Sequence, residues 1–185
     1  MCEQDTGRRE VTVIRDGLGK MAADFTAALA RQIPTDKFVR VVMTAVQSNP
    51  DLLLADRRSL YSSVMKAAQD GLLPDGREGP LVVYNTKVKE NGRETWKALV
   101  QWMPMVAGLQ KKARNSGEIA KIYGRVVYKF DRFRYVAGDH ELLEHEPDLD
   151  VDDDQHVEAN ARLAYAIAHL KEGTILRSVL ARSKT

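Results

Sequence analysis

Cysteine is almost absent from this sequence of 185 residues, since Cys2 is the only one. A single cysteine excludes a disulfide framework and a cysteine zinc site within one chain. No apolar run approaches the ~20 residues that a membrane-spanning helix needs. The segment from Met1 to Lys20 carries charges throughout, where a signal peptide would have an apolar core. We therefore expect a cytoplasmic protein that makes no membrane contact.

Glycine-rich phosphate loops are missing as well. Residues 17–20, Gly-Leu-Gly-Lys, carry part of the pattern, but a phosphate loop needs a glycine where Ile14 stands and Ser or Thr where Met21 stands. No other glycine-rich stretch supports a nucleotide site. The sequence therefore predicts no nucleotide cofactor and argues against an ATP-driven motor or recombinase.

Catalytic patterns fail on spacing. His140 and His145 flank a stretch that resembles a zinc-protease helix, but they are five positions apart, whereas two ligands on one helical face need a spacing of four. No Ser/His/Asp or Cys/His set has a supporting arrangement either. We predict no catalytic residue and therefore a protein that is not an enzyme.

The acidic region also lacks a complete calcium loop. Asp148, Asp150 and Asp152 match the first ligand positions of an EF-hand, but Asp153 replaces the turn glycine and Ala159 the final glutamate. The sequence predicts no dedicated metal site. Loosely bound Mg²⁺, a metal-dependent nuclease and electrostatic mimicry of DNA by this acidic region stay open as alternatives.

Charge is distributed in two blocks of opposite sign. From Lys87 to Arg134 there are twelve Lys/Arg and four Asp/Glu, a local net charge of +8. From Asp139 to Glu158 there are ten Asp/Glu and no Lys or Arg. Such blocks indicate a surface that binds a polyanion and an acidic loop or partner surface. Charge alone fits ordinary solvated surface equally well.

The apolar pattern predicts helices first and strands later. Residues 1–18 are polar and predict a flexible N-terminus, followed by a single domain over 19–181. Helices are expected near 25–33, 35–48 and 56–70, and strands near 81–84, 96–102, 119–128, 130–136, 161–170 and 175–180. Asn91-Gly92 predicts a hairpin tip, and 119–128 is expected to pair with 130–136. The fold class is α+β: N-terminal helices followed by a mainly antiparallel sheet with a long inserted helix.

The basic block contains candidate contacts for a polyanion. On the inserted helix, from Pro104 to Asn115, we expect an inward apolar face and an outward basic face. The inward residues are Val106, Leu109 and Ala113, and the outward ones are Lys111, Lys112 and Arg114. In the following strands, Lys121, Arg125 and Lys129 recur with a period of four, and Arg132 and Arg134 share a face. Interleaved aromatic residues are Trp96, Trp102, Tyr123, Tyr128, Phe133 and Tyr135. Cations that follow phosphates and rings that stack on bases suit a sequence-tolerant single-strand binder, although core packing is an alternative for each ring.

The same region resembles the RecT family of phage-type single-strand DNA annealing proteins. The resemblance is carried by residues 102–109 (WMPMVAGL), 111–119 (KKARNSGEI), 125–128 (RVVY), 131–133 (DRF), 138–139 (GD) and 145–147 (HEP), with weaker matches at 60–76 and 164–173. It covers about residues 35–180. Relatives run on beyond the position of Thr185, so we expect the family's C-terminal region to be absent from this chain.

The resemblance implies ATP-independent annealing of complementary strands in homologous recombination, with a ring or helical filament of copies on DNA. It also implies contacts with single-stranded DNA and the annealed duplex intermediate, a partner exonuclease, host single-strand-binding protein, and a phage or prophage origin in a bacterial cytoplasm. No cofactor is implied. DNA-binding residues are expected to be Lys97, Gln101, Trp102, Lys111, Lys112, Arg114, Lys121, Arg125, Lys129, Arg132 and Arg134. Contacts between copies are expected at Phe38, Arg57 and Arg58. The alternative is a basic module that binds single-stranded nucleic acid, including RNA, without annealing it.

Overall fold

The chain runs from helices to antiparallel strands, which confirms the predicted α+β class. The computed structural model describes residues 3–90 and 93–182. The helices are α1 (Glu3–Lys20), α2 (Ala22–Ala28), α3 (Thr35–Ser48), α4 (Pro50–Leu54), α5 (Arg57–Asp70) and α6 (Val106–Asn115). The strands are β1 (Leu81–Glu90), β2 (Arg93–Trp102), β3 (Ile119–Tyr128), β4 (Arg132–Val136), β5 (Leu142–Glu146), β6 (Ala161–Leu170) and β7 (Ile175–Ala181). They form two compact units, Met1–Lys112 and Ala113–Thr185, which we describe separately.

Helix α1 replaces the flexible N-terminus that the sequence predicts for residues 1–18. Ile14 and Leu18 lie one turn apart and are fully buried, so the segment has one apolar face despite its many charges. The prediction missed this helix because only a few apolar positions carry it. Within the described ranges, no helix is long and apolar enough to cross a membrane.

Local capping sets the bounds of the next helices. Asn49 caps α4 by accepting a hydrogen bond from the backbone N–H of Asp51, and Pro50 occupies the first turn. Asp56 caps α5 in the same way, with its Oδ1 2.8 Å from the Ser59 nitrogen. Gly71 ends α5 in the left-handed conformation, with φ of 65°.

The core of the first unit joins these helices to the base of the β1–β2 hairpin. Phe25 and Phe38 pack with ring centroids 5.4 Å apart. Ser63 on α5 donates a hydrogen bond of 2.8 Å to the carbonyl oxygen of Val100 on β2. Strands β1 and β2 pair antiparallel from Leu81↔Trp102 outward. The predicted tip, Asn91-Gly92, lies outside the described residues.

The second unit contains two antiparallel sheets instead of the predicted pairing of 119–128 with 130–136. Strand β3 pairs with β6, which also pairs with β7, and β4 pairs with β5. Strand β5 was expected to be part of an acidic loop. It forms because Leu143 and His145 alternate inward between glutamates that face solvent. Two short 3₁₀ turns, Asp153–Gln155 and Glu158–Asn160, follow in the acidic segment.

Candidate nucleic-acid interface

The β1–β2 hairpin presents an exposed indole with a cation above it. Lys87 and Trp96 are cross-strand partners, and the Lys87 Nζ lies 5.6 Å from the centroid of the Trp96 ring. Trp96 is 68% exposed, although aromatic side chains usually stabilise a fold by being buried in its core. Lys87 also lies 3.5 Å from Glu94, an exposed and therefore weak pair. An open ring beside a cation is the arrangement that stacks on a base and binds its phosphate.

Lys97 and Gln101 lie on the other face of this hairpin from Trp96, because strand residues alternate between faces. Gln101 is exposed, and Lys97 is half-buried and takes part in an interaction. Their assignment to DNA stays a prediction. Trp96 had been noted only as one of several interleaved rings, and its exposure was not readable from the sequence.

Trp102, by contrast, belongs to the core of the first unit. It is 6% exposed, and its Nε1 donates a hydrogen bond of 2.9 Å to Asp70. A Cβ at Gly79 would lie 2.4 Å from the Trp102 ring. The absence of this Cβ lets the backbone before β1 pack closely against the indole. The ring is inaccessible to a base, and we remove Trp102 from the candidate interface.

Helix α6 is held to the first unit by two lysines that the sequence placed on its outer side. The Lys111 Nζ lies 2.6 Å from Glu78, and the Lys112 Nζ lies 2.6 Å from Asp70. Burial acts to raise the pKa of Asp70, but hydrogen bonds from Lys112 and Trp102 keep that pKa below its usual value. A phosphate would therefore have to compete with a carboxylate for either lysine.

The predicted inner face of α6 is wrong for Val106 and Leu109, whereas Arg114 is exposed as expected. Gly108 is the buried residue, and a Cβ there would lie 2.2 Å from the carbonyl oxygen of Glu78. The Met105 backbone N–H donates to that same oxygen at 2.9 Å. Val106 and Leu109, expected inside, are 67% and 50% exposed. The apolar period identified the stripe correctly, but it carries no information on which side of the helix packs against the first unit.

Strand β3 carries a second set of cations and rings, in the other unit. Lys121 and Arg125 are exposed and share a face with Tyr123 between them. The Lys121 Nζ lies 4.9 Å from the centroid of Tyr123, whose ring stacks on His169 at 6.2 Å. Lys129 falls beyond the end of β3, in a turn, so the expected row of three stops at two. Arg114 is exposed near the end of α6.

The two arginines of β4 face glutamates on β5. Arg132 lies opposite Glu146 at 3.8 Å, and Arg134 opposite Glu144 at 4.0 Å. The Arg132 side chain is 89% exposed, so its pair contributes little to stability. The predicted sharing of one face is observed, but its positive charge is partly neutralised.

A buried polar cluster fixes the β4–β5 hairpin to β6. Asp131 accepts hydrogen bonds from the backbone N–H groups of Tyr128, at 2.7 Å, and Asp148, at 3.1 Å. His145 Nε2 lies 3.1 Å from Asp131, and His145 Nδ1 shares a hydrogen bond of 3.1 Å with the Tyr165 hydroxyl. Burial acts to raise the pKa of Asp131, but these hydrogen bonds and His145 hold it below its usual value. Asp131 and His145 lie in segments that carry the family resemblance, but their contact was not predicted.

Two of the three expected contacts between copies are used inside the chain. Phe38 is fully buried against Phe25, so it is unavailable to a neighbour. Arg57 on α5 forms an ion pair with Glu10 on α1. The assignment of Phe38 is corrected, because the helical core of this unit needs its ring, whereas Arg57, whose side chain is 30% exposed, stays a prediction. Arg58 is exposed, and its role stays a prediction.

No closed reaction centre is visible in the part of the chain that the structure describes. Within residues 3–90 and 93–182, no group of three His, Cys, Asp or Glu side chains could hold a metal ion. A cleft of about 400 Å³ in the first unit is lined mainly by apolar residues of α3, α4 and the segment leading into β1. The cations and exposed rings instead lie on open strand surfaces.

These features define a basic α+β protein with ring-bearing strands of the kind that bind nucleic acid. The sequence model of the RecT family matches residues 36–184, and the chain belongs to this family. It is similar to Protein RecT of Escherichia coli (strain K12), with 28% identity over 166 residues. That alignment covers 89% of this chain, and the chain spans 58% of the relative's length.

Proposed function

We propose that this protein binds single-stranded DNA and anneals complementary strands in homologous recombination without hydrolysing a nucleotide. The observation that carries the proposal is the pairing of cations with rings: Lys87 over the exposed Trp96 in the β1–β2 hairpin, and Lys121 over the half-buried Tyr123 on β3. Each pair can neutralise a phosphate and stack on a base without reading its sequence. Family membership supports the same function.

Annealing requires no bond to be made or broken by the protein. Exposed cations reduce the repulsion between two phosphate backbones, and rings hold the bases of one strand extended. Because these side chains lie on open strands, the Watson–Crick edges of a bound strand can stay accessible to a complementary one. Nucleotide and metal are then unnecessary, although Mg²⁺ can bind loosely through the acidic segment.

The finer parts of the proposal follow from the family. Copies of the chain assemble on DNA as a ring or helical filament. A partner exonuclease exposes the single strand, and host single-strand-binding protein occupies it first. The protein then acts in a bacterial cytoplasm and has a phage or prophage origin.

Strand annealing with purified protein tests the proposal directly. Two complementary labelled oligonucleotides should anneal faster with the protein than without it, in EDTA and without nucleotide. The variant Lys87→Ala, Lys121→Ala, Arg125→Ala should lose this acceleration, whereas Lys37→Ala, which removes an exposed cation from α3, should keep it. A strict need for ATP would sink the proposal.

Other substrates separate the alternatives in the same assay. Equal binding to single-stranded RNA with no acceleration of annealing would favour a general single-strand binding module. Cleavage of labelled DNA in Mg²⁺ would favour a nuclease. We expect preference for single-stranded DNA over duplex and no cleavage.

A further inference from the structure

The outward face of the β4–β5 hairpin carries charges of both signs in register. Arg132 lies across the strands from Glu146, and Arg134 lies across from Glu144. All four side chains project from one face, because strand residues alternate and cross-strand partners share a face. Two residues along a strand span about 6.7 Å, which is comparable with the separation of successive phosphates along an extended single strand. The face therefore offers two cations to neighbouring phosphates and places a carboxylate beside each cation.

The two carboxylates hold these arginines loosely. A guanidinium nitrogen of Arg132 lies 3.8 Å from Glu146, and one of Arg134 lies 4.0 Å from Glu144. A charge-assisted hydrogen bond between such groups is about 2.7–2.9 Å long. The four side chains are between 58% and 89% exposed, so water screens both pairs and each contributes little to folding stability. Either glutamate can thus leave its arginine at little cost to the fold.

Other contacts hold the hairpin to the sheet of the second unit. In the turn between β4 and β5, Glu141 accepts hydrogen bonds from the Tyr135 hydroxyl at 2.8 Å and from Arg177 of β7 at 3.1 Å. On the inward face, Phe133 stacks on Tyr165 of β6 with ring centroids 5.8 Å apart. Because these contacts lie in the turn and on the inward face, an exchange of partners on the outward face leaves the hairpin in place.

We propose that Glu144 and Glu146 compete with DNA phosphates for Arg134 and Arg132, and thereby limit how tightly the hairpin holds a single strand. A phosphodiester can accept two parallel hydrogen bonds from one guanidinium group, whereas the observed distances to the glutamates are too long for such bonds. Binding therefore exchanges a loose carboxylate for a hydrogen-bonded phosphate. This inference rests on the proposed binding of single-stranded DNA, and it assigns that site a built-in competitor.

The exchange is reversible because each competitor belongs to the same hairpin as its cation. When a phosphate leaves, the neighbouring carboxylate returns to the arginine at once and slows rebinding of the strand. Among variants of one binding site, differences in affinity lie mainly in the dissociation rate. The two glutamates should therefore shorten the residence of a bound strand. A short residence suits annealing, because the protein must release the strand once it has paired.

The variant Glu144→Gln, Glu146→Gln tests the inference, because it removes both charges and keeps the shape of the side chains. The probe is a short labelled oligothymidylate, whose binding is followed by fluorescence anisotropy and whose release is followed by stopped flow. The variant should bind about tenfold more tightly than wild type, mainly through slower release. The matched control is Glu158→Gln, Glu172→Gln, which removes two exposed charges of the same unit from positions outside the hairpin and should bind like wild type.

A double-mutant cycle separates competition for the arginines from simple repulsion of DNA. When the same glutamate substitutions are made together with Arg132→Gln and Arg134→Gln, most of the gain should disappear. An equal gain with and without the arginines would overturn the inference, and so would a glutamine variant with wild-type affinity.

Urea unfolding gives the remaining check. The glutamine variant should be as stable as wild type, since exposed pairs contribute little. A clear loss of stability would overturn the inference, because the glutamates would then hold the hairpin. A wild type that does not bind the oligothymidylate would instead refute the proposed function.

Discussion

Of the two tryptophans of β2, Trp96 is exposed and Trp102 is buried, although both lie on the same face of the hairpin. Trp96 and Trp102 are six positions apart, so strand alternation directs both to one side. Trp102 lies at the hairpin base, where it meets Asp70 and Gly79, and Trp96 lies beyond the reach of that core. Alternation predicts the shared face, but only the position of α5 decides which ring is accessible.

The exposed ring of Trp96 should contribute directly to binding of single-stranded DNA. Base stacking on an aromatic side chain is worth ~1–3 kcal/mol, so Trp96→Ala should weaken binding about tenfold or more. Trp96→Phe should restore most of the affinity, because the ring is what matters. Tyr84→Ala, which removes an exposed ring from the other face of the hairpin, is the control and should have little effect. Equal affinity of Trp96→Ala and wild type in anisotropy titrations would contradict this assignment.

Asp131 should stabilise the protein in a pH-dependent way. The residue accepts two backbone hydrogen bonds and contacts His145, so Asp131→Asn should lower the free energy of unfolding by about 1–3 kcal/mol at pH 7. Because its folded pKa is lowered, this stability is present above the ordinary carboxyl value of about 3.9 and is lost as pH falls through the lowered pKa. Urea unfolding should show the gap between wild type and Asp131→Asn closing below about pH 4. Exposed Asp139→Asn should leave stability unchanged at both pH values.

At the scale of elements, the apolar period of the sequence predicts the positions of helices and strands well. It predicts poorly which strands pair with each other. Helices α3 and α5 follow from their apolar spacing and lie within a residue of the expected ranges 35–48 and 56–70. Strands β6 and β7 are also found where strands were predicted, near 161–170 and 175–180. The pairing of β4 with β5 was missed, because the glutamates between Leu143 and His145 make β5 resemble an acidic loop.

Helix α6 shows why the candidate site was predicted only in part. Its basic residues and its apolar stripe were both identified, but a helical period carries no information on which side meets the protein. Which side packs against the unit depends on Glu78 and Asp70. These residues are distant from α6 in sequence and form ion pairs with Lys111 and Lys112. A glycine inside the helix, at position 108, was the available signal, since close approach of a helix to backbone requires the absence of a Cβ.

Gly108→Ala should therefore dislodge α6. The new Cβ would lie 2.2 Å from the Glu78 carbonyl oxygen, which is backbone and cannot swing aside. We expect a loss of about 1–3 kcal/mol in the free energy of unfolding from such overpacking, measured by urea denaturation. Gly19→Ala in α1 is the matched control, because nothing lies within 4 Å of its added Cβ. It should be neutral or stabilising by up to about 1 kcal/mol, as for Gly to Ala in a helix. A Gly108→Ala variant as stable as wild type would contradict this account of how α6 is held.

At the scale of the whole molecule, the two charge blocks are partly intertwined. The acidic block supplies Glu144 and Glu146 to the arginines of β4, and Glu141 to Arg177 on β7 at 3.1 Å. The positive charge that the basic block offers to a ligand is thus smaller than its local net charge of +8 suggests, because part of it is paired with glutamates. Its most accessible cations within the second unit include Lys121 and Arg125, for which the structure records no ion pair within residues 93–182.

The salt dependence of binding should report how many of these cations touch phosphate. For single strands, the logarithm of the binding constant falls with the logarithm of salt concentration with a slope of about −0.7 per neutralised phosphate. Lys121→Ala, Arg125→Ala should therefore make the slope shallower by about 1.4 if both residues bind phosphate. Lys37→Ala should leave it unchanged, because Lys37 is exposed on helix α3 and belongs to none of the candidate strands. A double variant with lower affinity but the wild-type slope would show that the two residues do not bind phosphate, since the loss of phosphate contacts changes the number of counterions released.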